Sequence, residues 1–243
     1  MHNYTFVNFK SGNCGEFVIS LIILMHDKAR NTQMQIKEAG SCHGNRNAEP
    51  EIVANDTDSD ETPNNIDHHY EYLDNIKYDG TPVCKSHLES VDLPQLMEHY
   101  PNSSVINIIS DDSDQVARNV IFKTLIPTVE RDMYGGNALK WILEELGLPI
   151  TDDITALAIN EFNDVYSMIK DKYTSDDIIS NTSDNYYAMQ LSEIINNKKS
   201  LLVKLSSITG YPITKEAEDF YDLYIAKQPT LHDMEEFQRK LRI

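Results

Sequence analysis

A 243-residue chain carrying a formal charge of −18 can bury one substantial core, but it lacks the surplus of Lys and Arg that a broad nucleic-acid-binding face requires. Hydrophobic content of 40%, with only 9 Gly and 9 Pro, excludes fibrous or low-complexity character. Three cysteines (Cys14, Cys42 and Cys84) are too few and too scattered for a disulfide framework and form no CxxC pair, which predicts a reducing, cytoplasmic setting.

The first predicted element is a short strand over Tyr4–Phe9. It runs into Lys10-Ser11-Gly12-Asn13-Cys14-Gly15-Glu16 and then into the apolar stretch Phe17–Met25. Strand, glycine-bearing turn and buried helix make a phosphate cradle, because backbone N–H groups and the positive end of the helix converge there. The turn is not a Walker A loop, since Glu16-Phe17 stands where Lys-Ser/Thr should follow the second glycine. The nine residues of Phe17–Met25 fall well short of the roughly 20 that span a bilayer. No basic stretch closely precedes them and no small-x-small site follows, so the reading is a buried helix and no membrane segment.

Residues 29–48 are polar. Glu49–Asp74 holds nine acidic residues and no Lys or Arg, and Asp56-Thr-Asp-Ser-Asp-Glu-Thr-Pro63 is its most acidic part. Such a composition predicts a solvated loop, so 29–74 reads as a polar insertion within a single domain spanning 1–243. His68 and His69 inside it read as exposed side chains, and no metal is expected.

Order returns with a short extended run over Thr81–Cys84, leading into Lys85-Ser86-His87-Leu88. A helix is predicted over Leu93–Tyr100. Val105-Ile106-Asn107-Ile108-Ile109 has the unbroken apolar character of a central parallel strand. Asp111, Asp112 and Asp114 then suit the start of a helix continuing through Phe122. Beyond lie helices over Asn137–Leu146, ended by Gly147, and over Asp153–Tyr173. A last strand is predicted over Tyr186–Leu191, with helices over Lys199–Thr209, Lys215–Lys227 and Leu231–Leu241. The alternation predicts an α/β fold: a three-layer α/β/α sandwich with a mainly parallel sheet and a helix-rich C-terminal half, with its site at the carboxyl ends of the strands.

Three segments of this chain, in order, resemble the sulfotransferase family, whose donor is 3′-phosphoadenosine 5′-phosphosulfate. The family's phosphosulfate loop reads Pro-Lys-Ser-Gly-Thr-Thr-Trp, and here Phe9-Lys10-Ser11-Gly12-Asn13-Cys14-Gly15 is similar. Its catalytic segment reads Lys-Thr-His-Leu, beside Lys85-Ser86-His87-Leu88 here. Its 3′-phosphate segment reads Arg-Asn-Pro-x-Asp-x-x-x-Ser, and the corresponding stretch is Ser110 through Asp114 to Arg118. These matches anchor the first half of the chain. The second half matches only loosely, through its helices and the turn at 207–211.

The resemblance implies a role for each residue. Lys10 would sit over the bridging oxygen. Ser11, Gly12, Asn13, Cys14 and Gly15 would hold the 5′-phosphate, largely through backbone N–H groups. His87 would take the proton of the acceptor, and Lys85 would stabilise the sulfuryl charge. The family's arginine and serine are exchanged here as Ser110 and Arg118. Either Arg118 reaches the 3′-phosphate from the helix side, or it faces solvent and that subsite is lost. The expected partner is a small-molecule or glycan acceptor with a hydroxyl or amine. Two alternatives stand beside this one. A P-loop kinase relative is disfavoured by the missing Walker lysine. A non-catalytic binding or assembly module, such as a component of a viral particle, would be supported by the exchanged arginine and the long acidic segment.

Overall fold

The computed structural model describes residues 3–10, 13–26, 53–54, 66–67, 70, 73, 83–89, 91–131, 140, 143–144, 146–148, 162–173 and 183–241. Among the described residues, five strands form one sheet: β1 (Thr5–Asn8), β2 (Val53–Ala54), β3 (Val83–Ser86), β4 (Ser104–Ile109) and β5 (Tyr186–Gln190). Their spatial order is β2-β3-β1-β4-β5, and every pairing is parallel. Val7 pairs with Lys85 on one side and Ile106 on the other, while β5 runs beside β4 from Val105↔Tyr186 to Ile109↔Gln190.

Alternation along the strands sends side chains to two covered faces. Val7, Val83, Ile106, Ile108 and Met189 pack against α1 (Gly15–Met25), α6 (Lys198–Thr209) and α7 (Lys215–Ala226). Tyr4, Phe6, Cys84 and Val105 face the other way, against Leu93 and Leu96 of α2 (Leu93–His99). This is the expected α/β/α layering. Helix α1 is apolar nearly all round because it is wedged between the sheet and two further helices, with Phe17 stacked on Tyr224 at 3.8 Å. A third cluster joins α3 (Ser113–Arg131), α4 (Phe162–Tyr173), Leu191 at the start of α5 (Leu191–Asn196), and Met234 and Phe237 of α8 (Leu231–Leu241).

The predicted elements that fall on described residues are recovered with shifted ends. Strand β3 runs over Val83–Ser86, past the expected end at Cys84, and α3 continues past Phe122 to Arg131, through Pro127. Leu191, read as the end of the last strand, instead begins α5. Gly147 and Gly210 both take left-handed φ, 71° and 74°, at the helix ends where the chain turns away.

The acidic segment needs a correction. It is not loop throughout: Val53–Ala54 forms the edge strand beside β3, and Ile66, Asp67, Tyr70 and Leu73 are helical. Ile66 and Leu73 are buried against Tyr4 and Phe6, and the Tyr4 hydroxyl donates to the Leu73 carbonyl at 3.1 Å. Apolar residues spaced 66, 70 and 73 place one helical face on the sheet, a pattern hidden by the surrounding charge. His68, His69 and residues 153–161 lie outside the described residues, as does most of the predicted helix over 137–146.

Candidate active site

The strand order determines where a ligand can enter. From β1 the chain passes through α1 toward β2, and from β3 it passes through α2 in the opposite direction, to β4. The two helices therefore lie on opposite faces, and the carboxyl ends of the neighbouring strands β1 and β3 open into a crevice. Lys10 follows β1, while Lys85 and His87 lie at the end of β3. The fold thus brings all three predicted catalytic residues to one edge of the sheet.

The turn after β1 is tightly tied. Phe9 N donates to the Ser86 carbonyl at 3.1 Å, extending the ladder, and Asn13 N donates to the Lys10 carbonyl at 3.1 Å. Ser11 and Gly12 lie outside the described residues. Asn13 is wholly buried; its Nδ2 reaches the Ile108 carbonyl at 3.5 Å and its Oδ1 accepts from Ser110 Oγ at 2.7 Å. Cys14 caps α1 from the left-handed region (φ 60°), and its carbonyl accepts from Phe17 N and Val18 N. Such a conformation costs a non-glycine residue about 1–3 kcal/mol and persists only where the surroundings impose it. Asn119 of α3 helps here, donating to Cys14 Sγ at 3.4 Å.

Each lysine of the crevice faces a carboxylate from the opposite segment. Lys85 Nζ lies 2.8 Å from Glu16 Oε1, with only 24% and 16% of the two side chains exposed. Lys10 Nζ lies 3.8 Å from Glu89 Oε2 in a more open pair. The two contacts cross: the β1–α1 segment supplies Lys10 and Glu16, and the β3 segment supplies Lys85 and Glu89.

His87 is held by Phe9 twice. Its Nδ1 lies 2.5 Å from the Phe9 carbonyl, and the two rings meet edge-on at 4.4 Å. A carbonyl only accepts, so Nδ1 carries the hydrogen and the neutral imidazole keeps its lone pair on Nε2. That tautomer is the one a general base at Nε2 requires.

Residues proposed for the 3′-phosphate are occupied within the protein. Ser110 is buried and spends its hydroxyl hydrogen on Asn13. Arg118 donates from Nη2 to Gln115 Oε1 at 2.9 Å, while its buried Nε has no partner among the described residues. The three aspartates before it are divided among separate tasks. Asp111 caps α5 through the Ser192 backbone N and hydroxyl, and Asp112 caps α3 by accepting from Gln115 N at 2.9 Å. Asp114 pairs with Lys170 at 2.8 Å, and that hydrogen bond holds its carboxyl below the usual range. Asp112 thus does what a helix-start reading expects.

Sequence inspection missed a polar chain on the other sheet face. Asn8 Nδ2 donates to the Leu88 carbonyl at 3.1 Å and to Asn107 Oδ1 at 2.9 Å, and Asn107 Nδ2 donates to the Tyr186 hydroxyl at 2.9 Å. Two asparagines in otherwise apolar strands were the available signal, but their cross-strand register was not. Among the described residues, no group of three His, Cys, Asp or Glu side chains could hold a metal ion, and no helix is long and apolar enough to cross a membrane.

No protein-family model and no curated protein matches this chain. Among solved structures, a sulfotransferase from Alicyclobacillus acidocaldarius is similar over 100% of this chain and 99% of its own, at 10% identity and a TM-score of 0.36. A likeness that faint assigns no residue and no activity. The α/β/α architecture stands on the strand order and the two covered sheet faces.

Proposed function

We propose that this chain is a divergent sulfotransferase, moving a sulfuryl group from 3′-phosphoadenosine 5′-phosphosulfate to a hydroxyl or amine on a small molecule or glycan. One observation carries the reading: Lys10, Lys85, His87 and the N-terminus of α1 meet at the carboxyl ends of two strands whose connections diverge. In the reaction the acceptor oxygen or nitrogen forms a bond to sulfur as the bond from sulfur to the phosphate oxygen breaks. The acceptor proton passes to His87 Nε2, and the phosphate leaves as 3′-phosphoadenosine 5′-phosphate. Lys10 balances charge on the departing oxygen, Lys85 on the sulfuryl oxygens. The 5′ end of the donor suits this turn. Ser110 and Arg118 offer less to the 3′-phosphate, because both are engaged within the protein. A cytoplasmic location belongs to the same proposal.

The test is calorimetry with 3′-phosphoadenosine 5′-phosphate on the purified chain. Binding that Lys10→Ala abolishes, together with sulfuryl transfer that His87→Ala abolishes, supports the reading. Absence of binding by folded protein overturns it.

A second reading has its own observation. Carboxylates sit against both lysines, so the crevice is internally neutralised, as suits a binding or assembly module that no longer handles an anion. Stable capture in a protein assembly, unaffected by Lys10→Ala and His87→Ala, would favour it.

A further inference from the structure

The least expected residue of the crevice is Glu16. It stands in the first turn of α1, where a helix favours negative charge, and its carboxylate meets Lys85 at 2.8 Å with little exposure on either side. Lys85 arrives from β3, 69 residues away, with its Nζ 5.8 Å from the centre of the Phe9 ring. The chain thus places a carboxylate of its own at a helix N-terminus, on a cation that an incoming phosphate or sulfuryl oxygen would need.

We propose that Glu16 is an internal anion that a ligand must displace from Lys85, so that anion affinity at this turn is set by an exchange of partners. The inference rests on the phosphate- and sulfuryl-binding role given to the turn under "Proposed function". Physical chemistry separates it from a purely structural pair. If Glu16 only positions Lys85, removing its charge leaves the lysine unanchored and weakens ligand binding. If Glu16 competes, removing its charge releases the cation and also a repulsion against the incoming anion, and binding tightens. A like charge within a few ångströms of an anion is worth about a factor of ten or more in affinity. The Lys10–Glu89 contact is longer and more open, so the same exchange there has a smaller effect.

The experiment is calorimetry with 3′-phosphoadenosine 5′-phosphosulfate, without acceptor, on the full chain at fixed ionic strength, comparing wild type, Glu16→Gln, Lys85→Ala and the double variant. The expected result is about tenfold tighter binding by Glu16→Gln, with a clearly smaller gain in the Lys85→Ala background, where only the lost repulsion remains; an equal gain in both backgrounds overturns the exchange. If Glu16→Gln does not fold, Glu16→Ser is read in the same way, since serine is accepted in a first helical turn. Binding by wild type that is unchanged or weakened in the folded Glu16 variant overturns the exchange while leaving the donor reading intact. No binding by either wild type or the Glu16 variant overturns both.

Discussion

The ring of Phe9 lies directly on Gly15. A Cβ added at Gly15 would stand 1.9 Å from Phe9 Cδ1 and 2.0 Å from Cγ, and the ring is itself buried between the turn and His87. Gly15 is required here for space, because the contact leaves no room for a methyl group. Gly15→Ala is expected to lose about 1–3 kcal/mol of stability through overpacking. Urea unfolding reads the loss, and Phe9→Leu in the same chain should return part of it. Full additivity of the two changes would show that the contact is not the cause.

The Asn13–Ser110 contact joins the turn to the end of β4. Both residues are buried, and the hydroxyl donates at 2.7 Å. Asn13→Ala leaves that hydroxyl and the Ile108 carbonyl without their partner, at a cost of about 1–3 kcal/mol. Ser110→Ala removes a smaller group and should cost less. A double-mutant cycle checks the pair, and a coupling energy near zero would sink the strut.

Tyr221 donates to the Ile194 and Ile195 carbonyls, at 3.0 and 2.7 Å, and burial pushes its hydroxyl up to about 12, with the charge of Asp222 adding to the effect. Tyr166 is also raised to about 12, by burial and by its hydrogen bond to Asp114. The folded values lie above the ordinary tyrosine value of about 10. Their contribution to stability is therefore complete below pH ~10 and is lost as pH rises from there toward 12. Ultraviolet titration should show native tyrosines ionising near pH 12 that shift to about 10 in urea, and Tyr221→Phe should remove part of that late fraction.

Cys84 is buried in the strand next to β1, and desolvation raises its thiol well above the ordinary range. Little thiolate exists at neutral pH, so modification of Cys84 has to wait for opening of the sheet. In a Cys14→Ser/Cys42→Ser chain, labelling by a maleimide should follow the unfolding equilibrium as urea is raised. Rapid labelling of the folded protein would contradict this burial.

How far each feature was legible depended on its range along the chain. The apolar run in β4, the amphipathic and capped helices, and Gly147 at a helix end follow from contacts within a few residues, which local spacing records. Strand β2 is two residues long and lies in acidic surroundings, so no periodicity could announce it. The helix read as far as Phe122 continues to Arg131, through Pro127. In the crevice, Lys10, Lys85 and His87 were identifiable as residue types after strands. Their partners were not, because Glu16, Glu89, Phe9 and Asn13 acquire those roles only when distant segments meet.

Local residue order was enough to specify a β–turn–α unit with a lysine at its turn, and a second lysine two residues before a histidine near the end of another strand. Tertiary structure alone decided that these are neighbours at the switch point of a parallel sheet. It decided as well that Lys85 meets Glu16 and that Ser110 turns inward to Asn13. The physical reason is one of distance along the chain. Side-chain periodicity encodes burial over a few residues, whereas charge pairing and hydrogen bonding across 69 or 97 residues depend on strand order and register.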